Sequence, residues 1–294
     1  MPSVRPSHVW TAKDLVHHQP RCFDADILWL DTRDPADFLQ VRFERAFLWH
    51  WPKNLTCLNQ LPSRDLALGL IATPDLVLEY QAWLAAKGYK LKSWLSPEQF
   101  LQLNPAHWPK VSGPQRQRLW QANAFLLQQV SNAALFAQNN RLHALDLGCG
   151  GGREAVALAR RGWHVVAVDN QPPALTCARD LAQAEQVSVD FRLADLTQPQ
   201  QRPTEKFDLI YQLRFLDRHL FDYIEHHLKP GGYVLIETFR EGVQAFGSPK
   251  NPRFILQPGE LANRFRHFDI IVDKLTTLPD GRPMNAFLAR KPTC

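Results

Sequence analysis

LHALDLGCGGGREAVALARRGWHVVAVD, residues 142–169, begins with an apolar run that closes on Asp146 and enters a turn with glycines at 148, 150, 151 and 152. A helical segment follows, Arg153 to Arg161, with apolar residues at 155, 156, 158 and 159. A second apolar run, Val165 to Val168, ends in Asp169. The pattern predicts strand, glycine-rich turn, helix and strand, with a carboxylate closing the second strand. Glycines let the backbone approach a ligand closely, and the helix start beyond them offers free N–H donors. A carboxylate 21 residues after Gly148 suits the paired hydroxyls of a ribose.

A dinucleotide fingerprint would need a third glycine at position 153, where Arg153 stands. The spacing present is D-x-G-x-G-x-G, on Asp146, Gly148, Gly150 and Gly152. It resembles the first motif of class I S-adenosylmethionine (SAM) methyltransferases. The turn Lys229-Pro230-Gly231-Gly232 before the apolar run Tyr233–Phe239 resembles the same family, and the likeness extends over residues 116–291. The implied fold is α/β, Rossmann-like, with a seven-stranded mostly parallel sheet. The implied cofactor is SAM. Asp146 and the glycines would then anchor its methionine part, and Asp169, with Asn170 beside it, its ribose. Asp195 would take the adenine amine, with Leu196 packing on the ring.

The strand Phe207–Gln212 should deliver its carboxyl end to the chemistry, which makes Tyr211 and Gln212 cofactor neighbours. Arg214 is a candidate for binding an anionic acceptor and His219 for a base; Tyr211 joins them as a catalytic candidate. Plainer roles compete at this strand end: a helix cap for Asp217 and solvent-facing side chains for Arg218 and His219. The long Gly- and Pro-containing segment 241–261 is expected to cover the site. An N-P-P-[YF] tetrapeptide, typical of amino-methylating nucleic-acid enzymes, is missing at the end of this strand. The segments DLGCGGGRE, FILQPGEL and AFLARK resemble tellurite-resistance and thiopurine methyltransferases, which implies a small acceptor with a soft or anionic nucleophile. An RNA acceptor and a non-catalytic scaffold compete with that reading.

Upstream, Ile27–Leu30, Leu66–Ala72 and Leu91–Leu95 read as short strands, and Asp75–Lys87 as an amphipathic helix ending at Gly88. The segments 29–51 and 66–91 resemble a rhodanese-like domain, in which a cysteine opening the second segment's loop carries a persulfide. Ala72 occupies that position, so residues 1–97 are expected to be an inactive rhodanese-like domain. Residues 98–115, with Pro105, Pro109 and Pro114, read as a linker, and 116–294 as the methyltransferase domain. A long helix is expected over Arg116–Gln138, offering Trp120 and Asn123 to the site, with Phe125 on its packed face.

Composition bounds the rest. Apolar residues make up 45% and charged residues 21% of 294, which are globular proportions. No run approaches the ~20 apolar residues of a membrane span, and the start MPSVRPSHVWTAKD lacks an apolar leader core, so a cytoplasmic protein is expected. Five scattered cysteines without a C-x-x-C argue against a disulfide framework and against a zinc site; no metal is expected. A net charge of +5 permits nucleic acid as a partner without a dense Lys/Arg run to favour it over a small molecule.

Overall fold

The computed structural model describes residues 24–49, 61, 62, 64, 66–113, 120–132, 134–136, 142–278 and 280–293. The chain forms two units, Met1–Trp120 and Gln121–Cys294.

In the first unit the order is β1 (Leu28–Asp31), α1 (Pro35–Gln40), β2 (Arg42–Phe43), β3 (Ala46–Leu48), β4 (Ala67–Ile71), α2 (Pro74–Ala86), β5 (Lys90–Leu95), α3 (Pro97–Gln102) and β6 (Lys110–Val111). Four strands make a parallel sheet in the order β3-β1-β4-β5. β1 is buried at every position, as a strand covered on both faces should be. Its end carries a buried ion pair: Arg33 Nη2 donates to Asp31 Oδ2 at 2.7 Å and to the Val41 carbonyl at 2.6 Å. The guanidinium also lies 4.4 Å from the centre of the Phe100 ring. Burial raises the Asp31 carboxyl above its usual range, and the Arg33 contacts pull it back.

The expected linker is not one. Ser96 and Gln99 form a capping box that starts α3, and Pro97 sits in the first turn, where its missing N–H leaves nothing unpaired. Phe100 and Trp108 then pack on Phe43, with ring centres 4.8 and 5.6 Å away, and β6 pairs antiparallel with β2. Aromatic burial thus folds these residues into the first unit.

The second unit runs α4 (Ala124–Val130), β7 (His143–Leu147), α5 (Arg153–Ala159), β8 (His164–Asp169), α6 (Pro172–Ala184), β9 (Asp190–Leu193), β10 (Phe207–Leu213), α7 (Phe221–His227), β11 (Leu228–Phe239), α8 (Glu260–Arg264), β12 (Asp269–Thr277) and β13 (Pro283–Arg290). Its seven-stranded sheet has the order β12-β13-β11-β10-β7-β8-β9. β7 to β11 are parallel, and β13 runs antiparallel to both of its neighbours. Leu145, Val168 and Ile210 pack one face against Phe221, Ile224 and Phe265. Ala144, Ala167 and Leu209 pack the other against Phe125, Leu158 and Leu175.

The long helix expected over Arg116–Gln138 shrinks to α4. Asn123 accepts from the Leu126 N–H at 2.8 Å, and this N-cap starts the helix afresh. Residues 114–119, 133, 137 and 138 of the expected helix and linker lie outside the described residues. The expected K-P-G-G turn is absorbed as a bulge in β11, where the register shifts between Phe207 and Leu209. The third strand starts at Asp190 rather than Val187. Cys177 on α6 is disulfide-bonded, so scattered spacing did not preclude pairing. Among the described residues no helix is long and apolar enough to cross a membrane.

Candidate active site

After β7 the chain builds β8 and β9 on one side, then returns to place β10 on the other side of β7. That reversal leaves a crevice at the carboxyl ends of β7 and β10, where open α/β sheets bind ligands. A cavity of about 490 Å³ lies there, within the size range of small-ligand sites. Gly148, Asp169, Asn170, Asp195, Leu196 and Arg214 line it, six of the residues singled out from sequence.

Asp169 ends β8 and is held from both sides. Its Oδ2 accepts from the Gly150 N–H at 2.7 Å and its Oδ1 from the Gln171 N–H at 2.9 Å. Each oxygen keeps a lone pair, so the carboxylate is oriented yet still able to accept from a diol. Gly148 has φ +78°, and a Cβ there would come within 2.7 Å of the Phe215 ring on the cavity wall. Only glycine fits this approach. Asp195 Oδ1 accepts from Thr197 N and Oγ1 at 2.9 and 2.7 Å, and these bonds lower its pKa.

The other expected residues stand off the cavity. Asp146 and Tyr211 face each other in strand register beneath the turn and are buried. Neither Asp146 Oδ2 nor the Tyr211 hydroxyl makes a well-aligned hydrogen bond among the described residues. Burial pushes both pKa values well up, and the nearness of the phenol only tempers the rise at Asp146. Gln212 is fully buried with its amide unpartnered among the described residues. Gly150 serves through its N–H to Asp169 rather than by lining the cavity. Gly152 is a packing residue: at φ +73°, an added Cβ would lie 2.7 Å from the Ala178 Cβ and 3.0 Å from the Phe191 ring. A Gly152→Ala protein should lose about 2–4 kcal/mol of stability from left-handed strain and overpacking, read as a lower midpoint of denaturant unfolding.

His219 is exposed and away from the cavity; its N–H donates to Asp217, which caps the short turn 218–220. Arg218 does not face solvent freely: it pairs with Glu260. Arg214 adopts φ +54°, a conformation that costs a residue with a side chain about 1–2 kcal/mol, and its N–H donates to the Glu237 carbonyl at 2.8 Å. The charges of Arg153, Glu154, Arg282 and Glu237 all reach its guanidinium. Asn123 joins this cluster, donating through its backbone to Glu154 Oε1 at 3.2 Å and through Nδ2 to Glu237 Oε2. Phe125 packs in the core, as expected, and Trp120 falls in the first unit.

Sequence reasoning missed Thr197, Arg253 and Phe254 as cavity residues and Glu154 as part of the polar cluster. The last two of the cavity set lie inside the 241–261 segment, where only its length was a signal.

Residues 144–232 match the methyltransferase domain family. Over 184 residues the chain is 31% identical to a ubiquinone biosynthesis O-methyltransferase of Xylella fastidiosa, an alignment covering 54% of this chain and 72% of that protein. An uncharacterized protein of Schizosaccharomyces pombe is 23% identical over 318 residues, covering 90% of this chain and 94% of its own. The crystal structure of TehB from Haemophilus influenzae overlaps 56% of this chain and 61% of that one, at 22% identity and a TM-score of 0.46. The chain belongs to the class I SAM-dependent methyltransferases. SAM is its cofactor, and the cradle at Gly148 and the oriented Asp169 carboxylate fit it.

Proposed function

We propose that the protein transfers the methyl group of SAM to a small molecule bearing an anionic group. The oriented Asp169 carboxylate at the mouth of a cavity beside Arg214 is the observation that carries this reading. Bound SAM supplies an electrophilic methyl group on a sulfonium. Asp169 and Asp195 hold the nucleoside end, while the backbone at Gly148 lets the methionine end lie close to the turn. Asp146 and Tyr211 support that turn from below. Arg214, with Arg153 and Arg282 in reach, fixes the acceptor's negative charge, and Phe254 keeps water from the reacting atoms. The Xylella relative's name, an O-methyltransferase of ubiquinone biosynthesis, supports a small acceptor. The narrower likeness to tellurite-resistance and thiopurine methyltransferases is supported by the sequence segments that suggested it.

We read the first unit as a rhodanese-like fold without sulfurtransferase chemistry. Its parallel sheet supports this, as does Ala72 at the thiol's position, fully buried with its N–H taken by the Leu95 carbonyl at 3.1 Å. Only two residues, Ala72 and Thr73, join β4 to α2, which is too short a loop to cradle an anion.

Incubating the protein with methyl-labelled SAM and a cell extract split into small-molecule, protein and RNA fractions tests the reading. Label should appear in the small-molecule fraction, and an Arg214→Ala variant should transfer it at least tenfold more slowly, as expected for losing a charged hydrogen bond. Label confined to RNA would overturn the small-molecule assignment.

A further inference from the structure

Arg218 was not expected to act at the site, and it does not line the cavity. Its guanidinium nevertheless makes four bonds to one short piece of chain. Nε and Nη2 donate to the Glu260 carboxylate at 2.6 and 2.8 Å, a bidentate pairing. Nη1 donates to the Arg253 carbonyl at 2.8 Å and Nη2 to the Ile255 carbonyl at 2.9 Å. The piece so held is the single turn Pro252–Phe254, whose other end is capped by Asn251 Oδ1 accepting from the Arg253 N–H at 3.0 Å. One such turn has no stability of its own, so its position is set by what binds its two ends.

Both sides of this contact belong to the cofactor cavity. Leu213 to Asp217, directly before Arg218, form one wall, and Arg253 and Phe254 form the wall that covers it. Phe254 is 45% exposed and has little packing of its own to keep it there. Glu260 is steadied in turn, its Oε2 accepting from the Gln257 N–H at 2.9 Å.

We propose that Arg218 is a positioning residue, a clasp that holds the Pro252–Phe254 turn over the cofactor and thereby sets how long S-adenosyl ligands stay bound. The proposal rests on the cofactor reading of the cavity. A planar guanidinium is required, because a lysine could not reach a carboxylate and two carbonyls at once.

The test follows dissociation of S-adenosylhomocysteine (SAH) from the immobilised full-length chain by surface plasmon resonance, for wild type, Arg218→Ala, Arg218→Lys, Glu260→Gln and Phe254→Ala. Arg218→Ala should release SAH about tenfold faster with its association rate little changed, since interface losses fall mainly on dissociation. Arg218→Lys should recover little of this. Arg218→Ala combined with Phe254→Ala should be scarcely faster than either alone, because the clasp acts through the turn. Thermal midpoints of the unliganded proteins should stay within a few degrees of wild type. Dissociation from Arg218→Ala and Glu260→Gln at the wild-type rate would overturn the clasp, as would additive effects of Arg218→Ala and Phe254→Ala. Failure of the wild type itself to bind SAH would instead remove the cofactor reading.

Discussion

An Asp169→Ala protein should bind SAH at least a hundredfold more weakly than wild type. The carboxylate is fixed by the Gly150 and Gln171 N–H groups and has one free lone pair on each oxygen. Each ribose hydroxyl it accepts from forms a hydrogen bond to a charge, about 1.5–3 kcal/mol apiece. The substitution also strips the Gly150 N–H of its partner, loosening the turn that cradles the ligand. Asp195→Ala is the informative comparison. Asp195 already spends one oxygen on Thr197, and losing it should weaken SAH only about tenfold. Isothermal titration of the two variants side by side checks the ranking. Equal weakening would mean that Asp169 does not serve the ribose.

The second large effect lies in the first unit. Arg33→Ala should destabilise it by about 3–5 kcal/mol, because Asp31 would be left fully buried without the guanidinium that pairs with it. Replacing both members, D31L with R33M, should restore most of the loss, since apolar packing can substitute for a buried pair. Tryptophan fluorescence reads this unit selectively: eight of the nine tryptophans lie within Met1–Trp120, and Trp163 alone lies beyond. A urea transition unmoved by Arg33→Ala would show that the pair contributes nothing.

What the sequence made legible was what is local along the chain. The strand, turn, helix and strand of 142–169 follow from apolar spacing and glycine placement over a single βα unit, and Asp169 meets Gly150 only 19 residues away. The strands of the second sheet were readable for the same reason. The missed parts depend on distant segments meeting. Asn123 reaches Glu237 across 114 positions, and Arg218 reaches Glu260 across 42. No periodicity carries such contacts.

Other misreadings had a local signal that went unused. Ser96-Pro97-Glu98-Gln99 is a capping box within a Pro-rich stretch, and it announced a helix where a linker was expected. Asn123 before Ala124-Phe125-Leu126 is an N-cap that breaks the longer helix. The roles of Asp146, Gly152 and Tyr211 were blurred for another reason. A motif shows which residues accompany a site but not which of them touch the ligand. Burial separates the two: Asp146 and Tyr211 lie beneath the turn, and Gly152 leaves room for Ala178 and Phe191.

The most direct test of the account is calorimetric titration of the wild-type chain with SAH. It should show saturable binding of one ligand per chain at about micromolar affinity, the range usual for small ligands of enzymes. Heats indistinguishable from dilution at ligand concentrations a hundredfold higher would contradict it, and the cavity at the ends of β7 and β10 would lose its assigned ligand.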